Sequence, residues 1–137
     1  MEATKSDGDS WARHAAGWLC MVGLAVHHLA LAEQAPGPSQ VAKLETPNYL
    51  IRIEVNCPEG EVACDRVTYT GKSKKTGREL TLLGRTVHTL CADGVTPCRF
   101  VGYQFRNGTT TYLVTEEGEL IVRDGGKVII DERGSLD

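Results

Sequence analysis

Residues 49–64 read YLIRIEVNCPEGEVAC, and this stretch decides the fold. Its first half alternates: Tyr49, Ile51, Ile53 and Val55 fall on one side, Arg52 and Glu54 on the other. Successive side chains of a strand point to opposite faces, so the pattern predicts a half-buried β-strand. Its second half contains Pro58, Glu59 and Gly60 and is bracketed by Cys57 and Cys64. Proline and glycine disfavour continued regular structure, so the chain is expected to fold back here.

Working outward, the same two signals recur. Arg66 to Lys72 sets Val67 and Tyr69 against Arg66, Thr68 and Thr70, and Lys74-Lys75-Thr76-Gly77 turns the chain into Arg78–Leu90. A second bracketed bend follows, from Cys91 to Cys98, holding Asp93, Gly94 and Pro97. Arg99–Phe105 then leads into Arg106-Asn107-Gly108, the strongest hairpin signal in the chain, because Asn-Gly readily takes positive φ. Thr109–Thr115, Glu119–Arg123 and Lys127–Glu132 complete the series, joined at Glu117-Gly118 and Asp124-Gly125-Gly126. The expected fold class is all-β: an antiparallel meander of about seven strands, closed into a small barrel or folded into a sandwich, after an N-terminal signal helix. Val128-Ile129-Ile130 is apolar at consecutive positions, which predicts a strand covered on both faces.

The two cysteine pairs, Cys57/Cys64 and Cys91/Cys98, share the spacing C-x6-C. If residues 1–32, which hold Cys20, are removed, four cysteines remain and allow three pairings; each pair flanks a turn-rich segment, which favours Cys57–Cys64 and Cys91–Cys98. Four thiolates could instead hold zinc, but zinc pairs usually leave two to four residues between ligands, and six argues against it. Disulfides in turn imply an oxidising compartment.

The N-terminal segment points the same way. Ala15 to Ala32 is apolar, follows Arg13 and His14, and ends Ala30-Leu31-Ala32 before Glu33. That pattern reads residues 1–32 as a signal peptide, with an uncleaved anchor as the alternative. Residues 33–48, with Pro36, Gly37, Pro38 and Pro47, are expected to be a flexible linker to a domain spanning 49–137. The expected location is periplasmic or secreted, with membrane contact only through the N-terminal segment if it is uncleaved.

Composition narrows the function. A net charge of −3 is not that of a nucleic-acid binder, which usually gathers a basic excess on one face. His88 is the only histidine after residue 32 and is expected to be a half-buried structural residue, sharing a face with Leu80, Leu82 and Leu90. Serine offers no nucleophile with a partner, so no triad is visible. Glu116, Glu117 and Glu119 are expected to decorate a solvated turn rather than act as paired acids. No metal ligand set, cofactor motif or catalytic residue is expected. Candidate partner-binding residues are the basic hairpin Lys72, Lys74, Lys75 and Arg78, together with Arg99, Tyr103 and Arg106, which add cationic and aromatic groups of the kind enriched in interface hot spots. Loops made rigid by a disulfide lose less entropy on binding, which marks 57–64 and 91–98 as recognition elements.

The segment CADGVTPCRFVGYQF, residues 91–105, followed by Asn107-Gly108 and Lys127-Val128, resembles a group of uncharacterised small exported bacterial proteins. That resemblance implies a bacterial periplasmic or secreted protein and carries no activity with it. In size and strand content the domain is also similar to periplasmic lysozyme-inhibitor barrels. It lacks their Ser-Gly-x-x-Tyr loop, having Val101-Gly102-Tyr103 instead. The functional expectation is a non-enzymatic cell-envelope binding protein whose partner is a protein or an envelope polymer, an inhibitor or immunity role being one version. The alternatives are a structural protein acting by strand-edge association and a small carboxylate-dependent hydrolase.

Overall fold

A computed structural model describes residues 37–137. The predicted signal or anchor segment lies outside the described residues. Nine strands follow in order: β1 Gln40–Glu45, β2 Tyr49–Val55, β3 Val67–Ser73, β4 Glu79–Leu90, β5 Pro97–Asn107, β6 Thr110–Thr115, β7 Glu119–Asp124, β8 Lys127–Arg133 and β9 Ser135–Leu136. They make a single antiparallel sheet with the order β8-β7-β6-β5-β4-β3-β2-β1-β9. The all-β meander expected from sequence is therefore present, with more strands than anticipated.

The two outermost strands of that order, β8 and β9, are separated along the chain by Gly134 alone. The last strand thus carries the chain from one end of the sheet to the other, and the sheet becomes a nearly closed barrel. Several bonds fix this seam. Lys43 and Asp137 exchange backbone N–H···O=C bonds of 2.8 Å each, and the Gly134 N–H donates to the Gly118 carbonyl at 2.9 Å. Glycine is required at position 134, since a Cβ there would overlap the Glu45 carbonyl oxygen. Beside the seam, the Asn48 side-chain amide donates to the Glu132 carboxylate at 2.6 Å and its backbone N–H at 3.2 Å. Burial works to raise the Glu132 pKa, but the hydrogen bonds from Asn48 and Thr46 outweigh it and hold the carboxyl below its ordinary value.

Inward-facing residues from every second position fill the barrel. Ile51, Ile53, Val67, Phe105, Val114 and Leu120 are buried, each worth about 1.5–3 kcal/mol of apolar transfer. Tyr69 packs between Phe105 and Tyr112, with ring centroids 5.1 and 5.7 Å apart. Its ring lies over Gly71, as the Phe105 ring lies over Gly84, so that a Cβ at either glycine would strike an aromatic ring. Glycines under large rings let a small barrel curve without leaving a void.

The structure corrects four finer expectations. Residues 33–48 were expected to be a tether, yet Gln40–Glu45 form β1, pairing with β2 along its whole length. Ala42 and Leu44 supply an inward face there, but flanking prolines mask a short alternation. Val128 and Ile129 are 44% and 55% exposed rather than covered on both faces. A register shift between Val122 and Arg123 breaks the pairing of β7 with β8 there, and among the described residues no second layer lies over the outer side of the sheet. Leu90, 59% exposed, does not share the inner face with His88, because a register shift separates them. The Asn107–Thr110 hairpin is centred on Gly108 (φ +60°) and Thr109, one residue beyond Asn-Gly, with Asn107 still paired to Thr110 in the ladder. Glycine at the first central position is the arrangement of a type II′ turn.

Candidate functional site

In an antiparallel meander, every second connection falls at the same end of the barrel. The β2–β3 and β4–β5 connections therefore share one end and the β1–β2, β3–β4, β5–β6 and β7–β8 connections lie toward the other, while the β6–β7 turn, with Gly118 against Gly134 and Leu44, sits at the seam beside the end of β1. Both cysteine-bracketed loops lie at the first end. Their pairings are those expected: Cys57–Cys64 with Cα atoms 5.8 Å apart, and Cys91–Cys98 with 5.1 Å. The two bonds are not equivalent. Cys57 and Cys64 are 5% and 3% exposed and belong to the core, whereas Cys98 is open to solvent.

Between these loops the barrel opens into a cavity of about 410 Å³. Its walls come from both stapled segments and the strands below them: Val62 and Cys64 on one side, Cys98 and Phe100 on the other, with Thr86, His88 and Tyr103 beneath. The rings form a continuous edge-to-face series, His88 to Phe100 at 5.4 Å and Phe100 to Tyr103 at 5.1 Å. Burial raises the Tyr103 phenol above its ordinary pKa, so it stays protonated and keeps a donor for the cavity.

Each loop is also held from inside. Thr86 ties the first loop to β4: its backbone N–H donates to the Cys64 carbonyl at 2.7 Å, and the Cys64 N–H donates to its hydroxyl at 2.8 Å. In the second loop the Asp93 carboxylate accepts from the Val95 N–H at 3.0 Å, the Thr96 N–H at 2.9 Å and the Thr96 hydroxyl. The Thr96 hydroxyl bond, followed by the two backbone bonds, lowers the Asp93 pKa to about 2. The rim of the cavity is preorganised on both sides.

The residues proposed from sequence as partner-binding do not form one cluster. Lys74, Lys75 and Arg78 sit in the β3–β4 connection at the end opposite the cavity, and Lys74 is paired with Glu45 at 2.7 Å. Lys72 borders a recess of about 300 Å³ over β1 and β2, with Leu50 and Arg52. Arg106 borders another recess, beside Leu83 and Arg85. Arg99 lies at the cavity end, 3.8 Å from Glu116. Tyr103, 5% exposed, joins the cavity floor rather than the outer surface. His88 is half-buried, as expected, but in the cavity wall. Sequence reasoning named the loops and Tyr103 and missed Val62, Thr86 and Phe100. The alternation along β4, which puts Thr86 on the same face as His88, could have found Thr86; it bears on neither Val62 nor Phe100.

The carboxylates Glu116, Glu117 and Glu119 face arginines: Glu116 faces Arg99, while Glu117 and Glu119 share Arg133. Among the described residues no group of three or more His, Cys, Asp or Glu is placed to hold a metal ion. Among them, too, no helix is long and apolar enough to cross a membrane. Two disulfides fit an oxidising environment. The fold and site together define a disulfide-stapled meander barrel with an aromatic-lined mouth. Comparison of the chain with family models, with curated proteins and with solved structures finds no match.

Proposed function

We propose that the chain is an exported, non-enzymatic binding protein of the cell envelope, periplasmic or secreted, that engages its partner through the barrel mouth. One observation carries the reading: both disulfide-held loops stand at the same end and border the open 410 Å³ cavity. Mouths of β-barrels are common ligand sites, and fixed loops lose little entropy when they bind. Inhibition of, or immunity to, a partner protein is one concrete form of this role.

Association through an exposed strand edge has less support, because the two outermost strands meet at the Gly134 seam. A carboxylate-dependent hydrolase has less still, since the Glu116–Glu119 group faces arginines.

The test compares the two ends. Envelope extract is passed over the immobilised protein, over a Glu61→Lys/Val62→Arg variant and over a Lys74→Glu/Lys75→Glu variant. One stoichiometric partner retained by the parent and the hairpin variant, and lost by the mouth variant, is the expected result. Loss only with the hairpin variant would move the binding surface to the opposite end and refute the reading.

A further inference from the structure

Charge divides along the barrel. The two stapled connections at the mouth end carry Glu59, Glu61, Asp65 and Asp93 against Arg66, and the neighbouring Arg99 faces Glu116. The four connections at the other end carry Lys74, Lys75 and Arg78 and no acid. Within the mouth itself, among the described residues, Glu61 is the one carboxylate lining the cavity and no lysine or arginine lines it. The remaining walls combine His88, Phe100 and Tyr103 with Val55, Val62 and the two cysteines, and carry the uncharged polar groups of Gln40 and Thr86.

We propose that the mouth receives a lysine or arginine side chain presented by a basic protein partner. The proposal rests on the mouth being the binding surface and names what it recognises. Three physical features converge on it. The ring series His88–Phe100–Tyr103 offers π-electron density to a cation, an attraction that strengthens as water is excluded. Glu61 at the rim supplies a counter-charge. The acidic connections around it attract a basic surface from a distance and raise the rate of encounter. The same field repels phosphate- or carboxylate-bearing polymers, so an anionic envelope polymer does not fit this end.

The full chain, with both disulfides intact by mass, is titrated with four capped tripeptides of the form Ac-Gly-X-Gly-NH2, where X is arginine, lysine, norleucine or glutamate. Binding is read from the backbone amide shifts of Thr86, His88 and Phe100. The expected result is saturable shifts with the arginine and lysine peptides at a Kd of about 1 mM, and binding at least about fivefold weaker for norleucine. Glu61→Gln should weaken the arginine peptide by up to about fivefold while leaving the norleucine peptide unchanged.

Equal binding of norleucine and arginine overturns the proposal, as does preference for glutamate or the absence of shifts with every peptide. Shifts of the same amides that grow with protein concentration alone would show a second copy in the mouth and would also overturn it. If partner capture is still abolished by Glu61→Lys/Val62→Arg in any of these cases, the mouth remains the binding surface and only its cationic ligand is refuted. If capture is indifferent to that variant, the mouth reading itself fails.

Discussion

The two disulfides close loops of equal length, with a sequence separation of 7 in each case, so the chain-entropy contribution should be the same for both. For loops of this size it is about 2.5 kcal/mol. What differs is the native side. Replacing Cys57 and Cys64 with alanine also removes two sulfurs from a site that is 5% and 3% exposed, leaving a void among packed neighbours. That adds about 1–2 kcal/mol, whereas removing the solvent-facing Cys91–Cys98 bond adds little. The expected loss is thus about 4 kcal/mol for Cys57→Ala/Cys64→Ala and about 2.5 kcal/mol for Cys91→Ala/Cys98→Ala. In a domain of roughly 100 residues this corresponds to Tm drops of about 15–30 °C and about 10–20 °C respectively. Urea unfolding at 25 °C, followed by circular dichroism, measures the difference directly. Native-state reduction with dithiothreitol should open the Cys91–Cys98 bond first, as seen by intact mass after alkylation. Equal losses, a larger loss for the outer pair, or first reduction of the inner pair would refute the assignment of one bond to the core and the other to the rim.

Three further outcomes are expected. Gly134→Ala forces a Cβ onto the Glu45 carbonyl and within 3.0 Å of the Thr46 Cα, so it should destabilise by more than about 3 kcal/mol in the same urea assay, through strain and a parted seam. Leu120→Ala, at 1% exposure, should cost about 2–5 kcal/mol, while Leu83→Ala, at 76%, should stay within about 0.5 kcal/mol. The pKa of Asp93 is lowered from 3.8 to about 2 in the folded state, so its contribution to the second loop is fully present above pH 3.8 and is lost as pH falls through 2. Amide exchange at Val95 and Thr96 should accelerate over that interval, and Asp93→Asn should flatten the pH dependence.

Much of the barrel was legible because its strands alternate cleanly. Tyr49–Val55 is the plainest example: Ile51 and Ile53 are buried and Leu50 is exposed, as period two requires. β1 was not legible as a strand, since Pro36, Pro38 and Pro47 flank six residues whose inward members are only Ala42 and Leu44. β9 is two residues long and depends on partners 90 and 92 residues away, beyond the reach of a local pattern. Val128 and Ile129 misled because consecutive apolar residues usually mean two covered faces, whereas here a register shift turns them outward. For the site, the stapled loops were visible as cysteine spacing. Their convergence was implicit in the meander, where parity alone sends the β2–β3 and β4–β5 connections to one end. The depth of Tyr103 and the position of Phe100 were not implicit, because both depend on the irregular pairing of β4 with β5 between Val87 and Leu90.

The Gly134 seam has a temporal consequence. Leu44 lies opposite Leu136, so the first strand of the barrel waits for the last before the ring can shut. Hairpins from β2 to β8 can zip one after another, but until residues 135–137 pair with β1 the sheet remains an open ribbon with two bare margins. The open ribbon is vulnerable to mispairing until the ring shuts, which makes residues 135–137 a latch for folding.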